Sequence, residues 1–192
     1  ENKKEAFNYY KLSADKGEVK SMSRYAFMKE EGIGTKEDKV ESCKYYKKAA
    51  DKGDVDSIFK YAYMLENGIG TPENKKEAFN YYKLSADKGE SNSIYRCAFM
   101  LDNGIGTKID HKEACKYYKI SADKGELKSI HRYACMLEDG IGVEMNKAEA
   151  FKYFKISAEK GDYDSIYHCA FMLENGIGTE IDREEACNYY KI

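Results

Sequence analysis

Apolar residues in this chain recur at i, i+3, i+4 and i+7 in short stretches separated by glycine-rich turns. In 56–67, Ile58, Tyr61, Ala62 and Leu65 keep that spacing, which is one face of a 3.6-residue helix. In 75–88, Ala78, Tyr81, Tyr82 and Ser85 do the same, and Phe79 and Ala86 widen the arc to roughly half the circumference. So wide an arc suits a helix with several neighbours, as in a stack.

The stretches repeat. Gly-Ile-Gly begins at Gly32, Gly68, Gly104, Gly140 and Gly176, and Ala-(Asp/Glu)-Lys-Gly ends at Gly17, Gly53, Gly89, Gly125 and Gly161, both with a period of 36 residues. Cutting after the second set gives a partial repeat (1–17), four full repeats (18–53, 54–89, 90–125, 126–161) and a truncated one (162–192). Residues 1–18 and 73–90 are identical, and Phe7, Phe79 and Phe151 alternate with Cys43, Cys115 and Cys187 at one position. Duplication of a two-repeat block gives that pattern, and so does an engineered consensus. Each repeat reads as two helices, here called A (typified by 56–67) and B (typified by 75–88).

Helix B is announced by Asn2, Asp38, Asn74, Asp110, Asn146 and Asp182, each followed three residues on by Glu5, Glu41, Glu77, Glu113, Glu149 and Glu185. This spacing predicts a capping box, with the Asx side chain accepting from the third amide and the Glu bonding back to the cap. Lys-Gly closes helix B and the first glycine of Gly-Ile-Gly closes helix A. The second glycine lets the loop turn back. Eleven helical segments follow, the last cut short at Ile192. The predicted fold class is all-α: a right-handed α–α superhelix of 36-residue helix–loop–helix units, one solenoid over 1–192. Because the chain starts at Glu1 rather than Met and ends in mid-repeat, it is expected to be a fragment of a longer one.

The residues Met64-Leu-Glu-Asn-Gly-Ile-Gly70, Asn74-x-x-Glu-Ala78, Tyr81-Tyr-Lys83 and Ser85-Ala-Asp-Lys-Gly89 resemble the loop, Lys-Ala pair, Trp-Tyr-x-Lys-Ala-Ala helix and closing glycine of the Sel-1-like repeat, a relative of the tetratricopeptide repeat. The likeness covers the whole chain. It departs at Tyr61-Ala62 (Leu-Gly in the family), Tyr81 (Trp) and Leu65 (the loop Tyr). The resemblance implies an α-solenoid adaptor, with helix A on the concave side. Relatives serve in membrane-protein quality control, enzyme activation and bacterial host interaction. A disulfide-rich bacterial branch bridges slots equivalent to Ala14 and Met22, which are not Cys here.

Composition narrows the function classes. Charged residues make up 34% against the usual ~25%, yet 42% is hydrophobic and 14% aromatic, so the chain is not a disordered tail. Lys+Arg 32 against Asp+Glu 34 leaves a net charge of −2, which argues against a dedicated nucleic-acid or anionic-membrane binder. No apolar run is long enough to span a bilayer.

Candidate chemistry is sparse. The paired glycines close a helix instead of opening one after a strand, so they are turns and not a phosphate loop. The six cysteines lack zinc spacing and sit where other copies carry aromatics, which predicts small buried apolar residues kept reduced. One pattern stands apart: Cys97 is followed by Cys115, and Cys169 by Cys187, each in the next helix B. His111, His131 and His168 fall at unrelated repeat positions, so they are expected on the surface with no metal between them. Ser21, Ser57, Ser93, Ser129 and Ser165 recur, which argues for packing. No nucleophile with a paired base assembles in the repeat register, so no catalytic, cofactor or metal residue is expected. The Tyr-Tyr pairs of helix B are expected in the core with hydroxyls on backbone groups.

The outer face of helix A carries the most informative surface. Arg24, Lys60, Arg96, Arg132 and His168 put a base in every copy. One turn on stand Phe27, Tyr63, Phe99, Cys135 and Phe171, and then Glu31, Asn67, Asn103, Asp139 and Asn175. Ser23, Phe59, Tyr95, His131 and Tyr167 flank them. Such a face suits an extended protein segment, an acidic one included, with Asn amides holding its backbone and aromatics anchoring it. The opposing reading is that the aromatics pack between repeats and the bases pair with a neighbour's Glu or Asp. The expected function is a protein-interaction scaffold without catalysis, binding no nucleic acid and inserting into no membrane. An RNA-binding helical repeat, or the non-catalytic arm of a larger signalling enzyme, stays open. The expected compartment is the cytoplasm, with the secretory lumen not excluded.

Overall fold

A computed structural model describes residues 2–191. These form eleven α-helices and no strand: α1 (Asn2–Asp15), α2 (Val19–Glu31), α3 (Lys39–Asp51), α4 (Val55–Asn67), α5 (Lys75–Asp87), α6 (Ser91–Asn103), α7 (His111–Asp123), α8 (Leu127–Asp139), α9 (Lys147–Glu159), α10 (Tyr163–Asn175) and α11 (Arg183–Tyr190). Odd-numbered helices are the B helices of the sequence pattern and even-numbered ones the A helices. The architecture is an all-α repeat of the solenoid class. Two compact units divide it within α6. Unit 1 runs to Cys97 and takes in Ile105–Thr107, and unit 2 comprises Ala98–Gly104 and the chain from Lys108 on.

In unit 1, α1 packs on α2, α2 on α3, α3 on α4 and α4 on α5. The predicted stripe is the core with one exception: Ile58, Tyr61, Ala62 and Leu65 of α4 are buried, as are Ala78, Phe79, Tyr82, Ser85 and Ala86 of α5, while Tyr81 is only half-buried. Met64, off that stripe, is buried too, because α4 has a helix on more than one side. Each such aliphatic side chain contributes about 1.5–3 kcal/mol. In unit 2, α7 packs on α8, α8 on α9, α9 on α10 and α10 on α11. Its equivalents Ile130, Tyr133, Ala134, Met136 and Leu137 are buried in the same way.

The caps depart from the expected box in one respect. Asp38, Asn74, Asp110, Asn146 and Asp182 do accept from the amides of Glu41, Glu77, Glu113, Glu149 and Glu185. Their own N–H groups, however, donate to the backbone of the preceding even-numbered helix. Asp38 reaches the Lys29 carbonyl at 2.8 Å, Asn74 that of Leu65 at 2.8 Å, and Asn146 that of Leu137 at 2.8 Å. This bond takes the donor that the Glu side chain satisfies in a capping box. Glu41 is thereby free to accept from the Tyr25 hydroxyl (2.7 Å) and to pair with Lys29 (3.0 Å). The even-numbered helices have acidic caps that the sequence reading passed over. Carboxylates of Glu18, Asp54, Glu90, Glu126 and Asp162 accept from the amides of Ser21, Ser57, Ser93, Ser129 and Ser165.

The second glycine of each loop does more than turn the chain. A Cβ on Gly70 would stand 2.0 Å from the Lys39 carbonyl oxygen, and one on Gly106 would stand 2.2 Å from that of Lys75. The loop therefore lies directly on the start of the preceding odd-numbered helix. Gly89, at the other turn, has a positive φ of 87° but nothing within 4 Å of an added Cβ.

The odd-helix slot of Cys43 and Cys115 and the even-helix slot of Cys97 and Cys169 are each filled by an aromatic residue in other repeats. The odd-helix slot meets the following even-helix slot. Phe7 packs against Tyr25 with ring centroids 5.1 Å apart and the rings tilted by 32°, and the Cys43 and Cys115 thiols lie close enough to Tyr61 and Tyr133 to raise their hydroxyls slightly beyond what burial does. The repeat register sets Phe79 opposite Cys97 and Phe151 opposite Cys169, so in these repeats a small residue is matched with a large one, whereas Phe7 and Tyr25 are both large. Cys43, Cys97, Cys115 and Cys169 are buried, whereas Cys135 is half-buried and Cys187 exposed. All six are free thiols.

Gly89→Ala is expected to cost about 1–2 kcal/mol from backbone strain, and Gly70→Ala about 3 kcal/mol or more, because the backbone under it has to move. Urea unfolding of the two variants gives the difference, and equal costs would contradict the close approach. Cys43→Phe alone is expected to overpack the slot by about 1–3 kcal/mol, and adding Tyr61→Cys to recover most of that loss, as a double-mutant cycle would show.

Candidate functional site

The bases on the even-numbered helices are held by carboxylates one repeat earlier. In unit 1, Glu30 accepts from the Tyr46 hydroxyl at 3.1 Å and pairs with Lys60 Nζ at 3.7 Å. Glu66 accepts from Tyr82 at 2.8 Å and pairs with Arg96 Nη2 at 3.2 Å. In unit 2, Asp102 takes Arg132 through Nε at 2.9 Å and Nη2 at 2.8 Å, and His111 Nδ1 at 2.9 Å. Glu138 pairs with His168 Nδ1 at 3.3 Å, and Phe154 stands at the position that is Tyr46 and Tyr82 in unit 1. These acids are mostly buried, Asp102 to 3% side-chain exposure and Glu66 to 11%. Burial, then the bond to Glu66, pushes the Tyr82 hydroxyl far above its ordinary range. Arg24 differs: its guanidinium lies 5.8 Å over the Phe27 ring, and no carboxylate is paired with it among the described residues.

In several of the aromatic pairs of the odd-numbered helices the first residue is less buried than expected, with Tyr9 exposed and Tyr81 and Tyr153 half-buried, and where its hydroxyl is bonded the partner is a carboxylate, not the expected backbone group. Tyr45 donates to Asp15 at 2.5 Å and Tyr153 to Asp123 at 3.2 Å. The asparagine amides are engaged by their own helices. Asn67 donates to the Tyr63 carbonyl, Asn103 to that of Phe99 and Asn175 to that of Phe171, each at 2.8 Å.

The aromatics remain accessible to different degrees. Tyr63 is 37% exposed, and Phe27 and Phe59 are half-buried, with Phe59 lying 5.8 Å from the Tyr82 ring. Between α2 and α4, Phe27 and Phe59 border a groove of about 350 Å³, lined also by Arg24, Asp56 and Lys60. Tyr95 and Phe99 of α6 are half-buried. In unit 2, Tyr167 and Phe171 are exposed and stacked 6.4 Å apart.

The histidines correct the sequence expectation. His131 and His168 do come together, with rings 6.0 Å apart and His168 stacked on Phe154 at 4.3 Å. They converge because successive even-numbered helices bring the flank slot of one beside the base slot of the next. His131 Nδ1 meets Asp162 at 3.0 Å and Ser165 Oγ at 2.9 Å, and its Nε2 lies 3.5 Å from Cys135 Sγ. Burial works against ionising Asp162, but its bonds from Ser165 and the nearby His131 hold it below the usual carboxylate range. A thiol with a paired base thus does assemble. Burial, however, pushes Cys135 up to about 11, so the thiol keeps its proton at neutral pH and is no activated nucleophile. Among the described residues no group of three or more His, Cys, Asp or Glu is arranged around a metal position, and no helix is long and apolar enough to cross a membrane.

The Sel1 repeat family model matches 1–18, 19–54, 55–90, 91–126, 127–162 and 164–192. The chain belongs to the Sel1 repeat family. Sel1 repeat proteins are generally protein-interaction scaffolds and are typically non-catalytic. Among solved structures it is similar to a protective antigen of uropathogenic Escherichia coli with an SLR fold: 25% identity, TM-score 0.87, covering 96% of this chain and 39% of that one. It is also similar to a Sel1 repeat protein from Oxalobacter formigenes: 23% identity, TM-score 0.84, covering 97% of this chain and 79% of that one. The chain therefore spans well under half of the Escherichia coli protein. A comparison with curated proteins finds no match.

Arg96→Ala leaves Glu66 with its tyrosine alone and is expected to destabilise by about 1–3 kcal/mol, with Arg96→Lys recovering part of it. Chemical denaturation checks this, and an unchanged midpoint would show that the pair carries no weight in the Sel1 stack.

Proposed function

We propose that this Sel1 repeat chain is a protein-interaction scaffold, without catalysis, that binds a protein segment along the faces of its even-numbered helices. The supporting observation is that aromatic side chains recur, part-exposed, beside bases already held by carboxylates. In unit 1 the face comprises Arg24, Phe27, Phe59, Lys60, Tyr63, Asn67, Tyr95 and Arg96. In unit 2 it comprises Phe99, Asn103, His131, Arg132, Tyr167, His168 and Phe171. Since Lys60, Arg96, Arg132 and His168 are paired internally, they act as fixed walls. The segment is then anchored by apolar side chains between the aromatics, and an acidic side chain has its best opening at Arg24. Six free thiols fit a reducing compartment such as the cytoplasm.

Peptides selected from a random library on the immobilised chain test the reading. Binders are expected to carry aromatic or aliphatic anchors. Phe59→Ala with Tyr63→Ala is expected to weaken them by about ten-fold or more with helicity unchanged. Raising the salt across a ~10-fold range is expected to change affinity by less than about 3-fold. Acidic binders that salt removes and the alanines do not touch would overturn it.

A further inference from the structure

One spot in unit 2 breaks the repeat in two places at once. Cys135 stands where α2, α4, α6 and α10 carry Phe27, Tyr63, Phe99 and Phe171. His131, one helical turn earlier, stands where they carry Ser23, Phe59, Tyr95 and Tyr167. We infer that Cys135 and His131 form a two-residue chelate for a borderline divalent transition metal of the zinc class, with Asp162 orienting the imidazole.

The geometry carries this. Two donors at i and i+4 share one face of a helix, the spacing that zinc-binding helices use. The sulfur and Nε2 are 3.5 Å apart, and the metal replaces the thiol proton, which leaves to solvent as the sulfur–metal bond forms. With metal bonds of about 2.3 Å to sulfur and about 2.05 Å to nitrogen, that separation closes an S–metal–N angle of roughly 107°, near the tetrahedral value. His131 directs its other nitrogen at the Asp162 carboxylate (3.0 Å), and a ligating histidine characteristically gives its far N–H to such a group. Ser165 Oγ also lies 2.9 Å from that nitrogen, but the carboxylate can only accept, which favours the proton on Nδ1 and the Nε2 lone pair toward Cys135. The ring is 25% exposed, so an ion can enter from solvent. The neighbouring cation, Arg132, is already neutralised by Asp102 at 2.8 Å. No third ligand joins the two among the described residues, so the remaining positions take water or donors from a bound partner.

Cobalt(II) titration of the reduced full chain tests the site directly. A near-ultraviolet thiolate-to-cobalt band is expected to saturate at one equivalent and to disappear on adding zinc. Cys135→Phe and His131→Phe install a residue type found at the same positions in other repeats, and circular dichroism confirms that they fold. Each is expected to abolish the band. Cys187→Ser, at the exposed thiol, is expected to leave it. Asp162→Asn keeps a competent helix cap but removes the carboxylate, and is expected to lower affinity by about 10-fold or more. Absence of the band at millimolar cobalt, its survival in either Phe variant, or its loss in Cys187→Ser overturns the inference.

Discussion

The structure depends on a backbone approach so close that no side chain fits it. At the second loop glycine the chain lies on a carbonyl at the start of the preceding odd-numbered helix, 2.0 Å from where a Cβ would be at Gly70 and 2.1 Å at Gly142. This contact recurs within both units and sets how far each loop sits from the helix beneath it. Just beyond it, the cap amide of the next odd-numbered helix bonds back to the even-numbered helix. Together the two fix both ends of the turn with backbone atoms, so side chains are free to vary around it. The loop thus keeps its path while Glu37, Glu73, Ile109, Met145 and Ile181 occupy one of its positions.

Charge follows the same logic. In unit 1, α2 and α4 each end near an acid that reaches forward to a tyrosine and then to the next base, and in unit 2 Asp102 and Glu138 hold Arg132 and His168. Desolvating a carboxylate is tolerable only with such partners. The near-neutral composition is therefore achieved locally, pair by pair, and the helix faces present aromatic edges between neutralised charges. A surface of that kind recognises shape and apolar contact more than net charge.

Much of this was legible in the residues. The 36-residue period, the stripe Ile58, Tyr61, Ala62 and Leu65, and the Asx caps are local patterns, and local patterns are what helix formation reads. What escaped depends on the stacking offset between repeats, which no single repeat contains. Nothing in the order of residues shows that Glu66 meets Arg96 thirty positions on. Nor does it show that Cys43 faces Tyr61 in the following helix. The meeting of His131 with Asp162 and His168 is of the same kind, although one signal was available. Cys135 departs from a position aromatic in the other four repeats and His131 from one aromatic in three of them, in one repeat and four positions apart.

The loop glycine's contact also constrains how such a chain changes length. A residue added or lost inside a repeat shifts the glycine off its carbonyl and the acid off its base in one step, and no single substitution restores both. Whole units carry all these separations with them. Copying a block, as the identity of 1–18 with 73–90 suggests, is therefore the cheapest route by which this architecture lengthens.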